Sequence, residues 1–324
     1  MGADTVSGGF LGILYASVRE ARRRAHGGSP LKLDLPVVSI GALQAGGAGK
    51  TPVAVALCRA LQEEGLLVGV AIQGVGGRLG RGDTPPKLSA PGSTLSVKDA
   101  GDEAVLLRRE APGAVLAVGR DRITAATALA KGGVDFILLE DGFQWSGLHR
   151  DLDFVVVSGA PGGETVLPKG RLREWPSAYG RADALLIMPG ANTAFLDEWA
   201  PGGTRFSLSW GSPRWETLDH NATTAPPPNL PLCAAIADPN SLLEELRAEG
   251  LDPLLIPFPD HAPMDAHRNR MLREARAYGG VILTTKDAAR WGDALEGIPT
   301  WVRTRTLLLP SELIQYVLAT TPAP

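Results

Sequence analysis

The chain has 324 residues, which suits one large domain or two of ordinary size. Apolar residues make up 44% and charged residues 21%, so a real core is expected, and 39 glycines with 26 prolines predict many tight turns. A formal net charge of −3 with no long basic block argues against a nucleic-acid partner, and two distant cysteines, Cys58 and Cys233, argue against a disulfide scaffold or zinc site and fit a reducing, cytoplasmic setting.

At the N-terminus Val6, Phe10, Ile13, Leu14 and Val18 fall near helical spacing on one face, and Arg19, Arg22, Arg23 and Arg24 follow. A signal peptide has its basic residues before the apolar run, not after it. Two readings of this stretch remain open. It is an amphipathic helix lying on a membrane surface, or a terminal helix packed on its own domain, and amphipathicity does not separate them. No stretch reaches the ~20 apolar residues that span a bilayer.

From Leu35 onward, short apolar runs alternate with helical ones. Strands are predicted at Pro36–Ile40, Leu66–Ile72, Ala114–Val118, Asp135–Leu139, Phe154–Val157 and Ala184–Met188, and helices at Pro52–Glu64, Glu103–Glu110 and Asp121–Lys131. Uniformly apolar strands alternating with helices imply an α/β fold with a mostly parallel sheet covered on both faces. After Met188 periodicity weakens, and Thr223–Pro231 (TTAPPPNLP) reads as extended linker. A second αβ stretch follows, with strands at Leu232–Ala237, Leu254–Pro257 and Val281–Thr284 and helices at Ser241–Glu249 and Met264–Ala277. The expected organisation is an N-terminal amphipathic helix over 1–25, a core over 26–188, a Pro/Gly-rich linker region over 189–231 and a smaller α/β lobe over 232–324.

The first strand runs into Gly41-Ala42-Leu43-Gln44-Ala45-Gly46-Gly47-Ala48-Gly49-Lys50-Thr51 and then a helix. Glycines let backbone N–H groups turn inward around phosphate oxygens, and the helix start adds a partial positive charge. Gly46, Gly47, Ala48, Gly49, Lys50 and Thr51 are therefore the expected nucleotide cradle of a P-loop NTPase-like core. Lys50 is expected to reach the β and γ phosphates, and the Thr51 hydroxyl to ligate Mg²⁺. The leading glycine of the usual pattern is replaced by Gln44. Ala45 stands where partitioning-type ATPases need a lysine, and Thr285-Lys286-Asp287-Ala288 misses the base-recognition motif of GTPases by its last residue.

Strand Asp135–Leu139 ends in Glu140-Asp141-Gly142. An acid there can hold Mg²⁺ or its waters, although Asp141-Gly142 would also make a good turn. Asp102, opening a helix after Gly101, reads as an N-cap or as a catalytic base, and Asp260-His261 as a solvated pair or as an oriented proton acceptor.

Taken in order, these pieces resemble tetraacyldisaccharide 4′-kinase, the lipid A pathway kinase family. They are PVVSIGALQAGGAGKTP (36–52), GDEAVLLRR (101–109), GRDR (119–122), EDGFQW and LHRDLD (140–145, 148–153), LPKGRLRE (167–174), AAIADPNSL (234–242), FPDH (258–261) and LTTKDA (283–288). The resemblance implies an ATP- and Mg²⁺-dependent phosphoryl transfer to the 4′-hydroxyl of an acylated glucosamine disaccharide 1-phosphate lipid, giving lipid IV-A. It implies Asp102 as base with His261 as its partner, Glu140 and Asp141 as metal-side acids, and peripheral attachment at the cytoplasmic face of the inner membrane through the N-terminal helix. The chain departs from the family pattern at Ala42, Gln44, Gln73, Val75, Glu140, Trp145 and Ala262. Those departures motivate two alternatives, a degenerate nucleotide- or lipid-binding relative and a P-loop kinase with a different acceptor.

Overall fold

The computed structural model describes residues 29–82, 84–159, 166–236, 238–258 and 264–322. The helix expected over 1–25 and the Asp260-His261 pair lie outside them. The chain divides into two compact units, one extending to Trp210 and resuming at Leu307, the other Gly211–Thr306.

In chain order the first unit contains β1 (Val37–Gly41), α1 (Lys50–Glu63), β2 (Val68–Ile72), β3 (Lys87–Ser89), α2 (Val97–Ala100), α3 (Asp102–Glu110), β4 (Val115–Val118), α4 (Arg122–Lys131), β5 (Phe136–Glu140), β6 (Leu152–Val157), β7 (Ala184–Ile187), α5 (Leu196–Trp199), β8 (Arg205–Ser207) and β9 (Ser209–Trp210). Its eight-stranded sheet has the order β3-β4-β2-β5-β1-β6-β7-β8. Every neighbouring pair in it is parallel except β3 with β4. Side chains alternate between two cores, as strand geometry requires. Val38 and Ile40 of β1 and Phe136 and Leu138 of β5 pack with Val53, Leu57 and Leu61 of α1. Val37, Ile137 and Leu139 face the other way, onto Ala125, Ala126 and Leu129 of α4.

The second unit holds β10 (Arg214–Glu216), β11 (Ala222–Thr223), β12 (Pro231–Ala234), α6 (Pro239–Ala248), β13 (Leu254–Pro257), α7 (Met264–Tyr278), β14 (Val281–Thr284), α8 (Thr285–Trp291) and β15 (Thr300–Thr304), its sheet ordered β11-β10-β15-β14-β12-β13. Leu232, Ala234 and Ile282 pack with Leu243 and Leu246 of α6, while Cys233, Val281 and Leu283 pack with Met271 and Ala275 of α7. The chain then returns to the first unit as β16 (Leu307–Leu308), paired with β9, and α9 (Ser311–Thr320), whose Leu313 and Val317 join the core beside α1.

The boundaries differ from the sequence expectation. Residues 189–210 belong to the first unit, where β8 extends the sheet, and 307–324 belong there too. The exposure of Arg205 and Ser207 explains why β8 shows no apolar run. The Pro-rich stretch before β12 sits inside the second unit, because proline keeps its carbonyl: Pro228 O accepts from Asp252 N at 2.9 Å.

Candidate phosphate-binding site

The loop 42–49 leaves the carboxyl end of β1, between β5 and β6. Crevices outside the carboxyl ends of parallel strands are where such sheets bind ligands. Gly46, Gly47 and Gly49 have φ of 70°, 61° and 86°, a region costly for other residues. Gly49 is the N-cap of α1 and supplies no side-chain cap to the first-turn amides. Pro52 falls within that turn, where its missing N–H removes no helical bond. The 14-residue helix thus brings uncapped amides and its positive end to the loop. Lys50 and Thr51 are both buried at this point.

The departures from the usual loop are accommodated by specific contacts. Gln44 is buried and its Oε1 accepts from Ser158 Oγ at 2.5 Å. Ala42 O accepts from Gln144 Nε2 at 3.0 Å. A Cβ on Gly41 would stand 2.3 Å from Phe143 Cβ, so β1 and the turn after β5 approach as closely as only glycine allows.

The acids come from β5 and from α3. Ile40 pairs with Glu140, and Asp141 N donates to Ile40 O at 2.8 Å, which sets both acids beside the start of the loop. Asp141 has a positive φ of 56°. It is held there by Lys50 Nζ at 3.6 Å and by Arg173 Nη1, 2.7 Å from each carboxylate oxygen. Burial pushes the Asp141 carboxyl up, but the charges of Lys50 and Arg173 outweigh it and hold it below the usual range. Glu140 is raised to about 8, by burial first and then by the negative charges of Glu103 and Asp141, with Lys50 and Arg122 opposing. Its backbone oxygen accepts from Arg122 Nη2 at 3.0 Å, while its side-chain Oε1 is buried without a hydrogen-bond partner among the described residues.

Asp102 is nine-tenths buried at the first position of α3. The N-cap is Gly101, and Asp102 stands one place inside the helix, its Oδ1 accepting from Glu103 N at 3.1 Å, so the capping reading from sequence is corrected. The Glu103 charge acts on both Glu140 and Arg122, raising the one carboxyl and opposing the effect of burial on the other group.

Arg173 was not recognised from sequence as part of this site, although it lies within LPKGRLRE. The 166–173 segment runs alongside the loop: Ala45 N donates to Arg171 O at 2.8 Å and Arg173 N to Leu43 O at 2.7 Å. The available signal was two arginines spaced by one residue, Arg171 and Arg173, in a short segment that also carries Lys169 and Glu174. At Trp145 the indole ring lies 5.7 Å from the Arg122 guanidinium.

The donor set fits a nucleotide with a hard divalent cation. A carboxyl oxygen of Glu140 buried without a partner among the described residues, a buried hydroxyl beside the lysine and a glycine cradle stand at the carboxyl ends of β1 and β5. Among the described residues no three His, Cys, Asp or Glu side chains form a metal centre by themselves. This suits a Mg²⁺ ion that takes most of its oxygens from phosphates and water.

The family model for tetraacyldisaccharide-1-P 4′-kinase matches residues 9–321. The tetraacyldisaccharide 4′-kinase of Geobacter sulfurreducens is 36% identical over 272 residues, covering 80% of this chain and 75% of that protein. That of Dinoroseobacter shibae is 35% identical over 323 residues, covering 94% and 86%. In three dimensions the chain is similar to the crystal structure of LpxK from Aquifex aeolicus in complex with ATP, with a TM-score of 0.75 and 22% identity over 95% of this chain and 96% of that one, a likeness of fold. With residues 9–321 matched by one family, the chain belongs to the tetraacyldisaccharide-1-P 4′-kinases.

Proposed function

We propose that the chain is an ATP-dependent phosphotransferase with an alcohol acceptor. It phosphorylates the 4′-hydroxyl of a tetraacyldisaccharide 1-phosphate to give lipid IV-A, a step of lipid A biosynthesis. The observation that carries this reading is the convergence, at the carboxyl ends of β1 and β5, of the glycine loop, Lys50 on α1 and Asp141.

In this reading each residue takes a role as follows. The amides of Gly46, Gly47, Ala48 and Gly49 cradle phosphate oxygens. Lys50 neutralises charge that builds up between the β and γ phosphates, an electrostatic contribution that a buried ammonium makes well. Thr51, Glu140 and Asp141 would hold Mg²⁺, which supplies charge neutralisation and alignment of the phosphates when bound. Asp102 accepts the proton of the sugar hydroxyl, with His261 as its partner, as general base catalysis requires.

The acceptor is a lipid disaccharide, and its acyl chains leave a bilayer only at about 0.8 kcal/mol per CH₂. The enzyme therefore works at the cytoplasmic face of the inner membrane as a peripheral protein, with the amphipathic stretch 6–24 as its seat. Among the described residues no helix is long and apolar enough to cross a membrane. Nucleic acid is not expected as a partner.

The test is phosphoryl transfer from labelled ATP with Mg²⁺ and tetraacyldisaccharide 1-phosphate in detergent micelles, run beside Asp102→Ala. Transfer by the wild type and its loss in the variant would support both the activity and the base. ATP binding without transfer would move the weight to a degenerate relative or to another acceptor, with Gln73 and Val75 as the positions to examine.

A further inference from the structure

Arg171 touches the glycine loop twice. Its backbone oxygen accepts from Ala45 N at 2.8 Å. Its side chain then folds back, and a single nitrogen, Nη2, donates to Ala45 O at 3.1 Å and to Gly46 O at 2.8 Å. The same nitrogen is within 4 Å of where a Cβ would stand on either Gly46 or Gly47. The residue is otherwise exposed.

The consequence follows from peptide geometry. In a planar trans peptide the N–H points opposite to the C=O of the same unit. The carbonyls of Ala45 and Gly46 share their units with the amides of Gly46 and Gly47. Drawing both carbonyls onto one guanidinium nitrogen therefore turns both amides to the opposite face. A tandem glycine pair with φ of 70° and 61° can also reach flipped arrangements at little cost, and a flip would put carbonyl oxygens where the amides now point. Carbonyl oxygens would repel a phosphate that the amides attract.

We infer that Arg171 is a positioning residue for nucleotide binding. It fastens the Ala45 and Gly46 carbonyls from outside the loop, so that the Gly46 and Gly47 amides face the phosphates. This rests on the kinase reading above. Ala45 itself carries no cation, so the charge at this point of the loop comes from 126 residues further along the chain. The guanidinium acts on loop carbonyls and not on the phosphate.

The experiment compares full-length wild type with Arg171→Ala, Arg171→Gln and Arg171→Lys. ATP affinity is measured by calorimetry with Mg²⁺ at several salt concentrations, turnover by phosphoryl transfer, and folding by thermal midpoint. Arg171→Ala is expected to raise both Kd and KM for ATP by about tenfold with kcat within about twofold, the loss of two surface hydrogen bonds from a charged donor. Arg171→Gln, whose amide donates without a charge, is expected to recover most of that affinity and to keep the wild-type salt dependence. ATP affinity unchanged in Arg171→Ala would overturn the inference. So would recovery by lysine and not by glutamine, which would mean that the charge meets the phosphate directly. A wild type that binds no ATP would sink the kinase reading, and this inference with it. A wild type that transfers phosphoryl beside an unaffected alanine variant would sink this inference alone.

Discussion

Lys50 Nζ lies 3.6 Å from Asp141 Oδ1, and the same carboxylate is gripped by Arg173 at 2.7 Å. Three segments remote in sequence thus meet in one charge cluster at the mouth of the glycine loop. Lys50→Ala removes the cation of the cradle and leaves Asp141 with the charges of Arg173 and Arg122. Turnover is expected to fall on the order of 10²–10³-fold, as for other electrostatic groups at phosphoryl sites. Labelled phosphoryl transfer measures it, and a fall of less than fivefold would take Lys50 out of the chemistry.

Asp102→Ala separates binding from catalysis. Asp102 is buried at the start of α3, where Gly101 and not Asp102 is the N-cap. The variant is expected to lose turnover by at least about 10²-fold, the usual contribution of a positioned base. Its ATP affinity should stay within about twofold. Equal turnover in the variant would assign the base elsewhere.

Two glycines should respond differently to alanine. At Gly41 a Cβ would stand 2.3 Å from Phe143 Cβ and 3.0 Å from Phe143 N, so the backbone of one strand end must move. Gly41→Ala is expected to cost about 3 kcal/mol or more in unfolding free energy, the upper range for overpacking. At Gly65, φ is 86° but a Cβ meets nothing within 4 Å. Gly65→Ala is expected to cost about 1–2 kcal/mol from backbone strain only. Denaturant unfolding of both variants checks the ranking.

Asp287 makes the stability of the second unit depend on pH. It is fully buried at the start of α8; its carboxylate accepts from Ala235 N at 3.2 Å and from Thr284 Oγ1 at 2.7 Å. Burial nevertheless dominates and lifts it from 3.8 to about 6. Between those values the folded chain keeps a proton that the unfolded chain has released. Stability therefore falls as pH rises from about 4 to about 6 and is level above that for this group. Asp287→Asn keeps an oxygen for Ala235 N and has no proton to lose. The difference in thermal midpoint, variant minus wild type, should grow in the variant's favour from pH 4 to pH 6. A difference that stays constant over that range would show that Asp287 titrates normally.

Removing residues 1–25 should release the protein from anionic vesicles in a flotation assay while leaving ATP affinity unchanged. The apolar face and arginines of that stretch are the basis for this expectation. Equal flotation of the truncated chain would leave the amphipathic stretch without a membrane role.

Much of the fold was legible because its signals are local. The apolar runs of β1, β2, β5, β6 and β7 lie within a few residues of their sequence assignments, and β13 and β14 coincide with theirs. β1, β2 and β5 are buried along their whole length, so hydrophobicity alone marks them. Among the strands without a sequence assignment, β3 and β8 have a partner on one side only and expose residues, and β10 exposes Arg214, so no apolar run announces them; β15 is largely buried, but Thr300, Arg303 and Thr304 break up its apolar run. Thr284 and Asp287 illustrate the same limit. In sequence Asp287 belongs to a failed base-recognition motif that Thr284 only precedes, whereas in the fold Thr284 caps α8 and Asp287 braces the end of β12.

The cradle, its lysine and the acids after β5 were determined by the sequence itself, because a strand, a glycine loop and a helix in succession position their own backbone amides. Only the tertiary structure decided what holds them in place. Arg173 on Asp141, Arg171 on the loop carbonyls and Ser158 on Gln44 join residues 32 to 126 apart, and one-dimensional spacing carries no record of such pairings. They arise because β1, β5 and β6 lie side by side in the sheet, so that the loops leaving their ends must satisfy one another's polar groups.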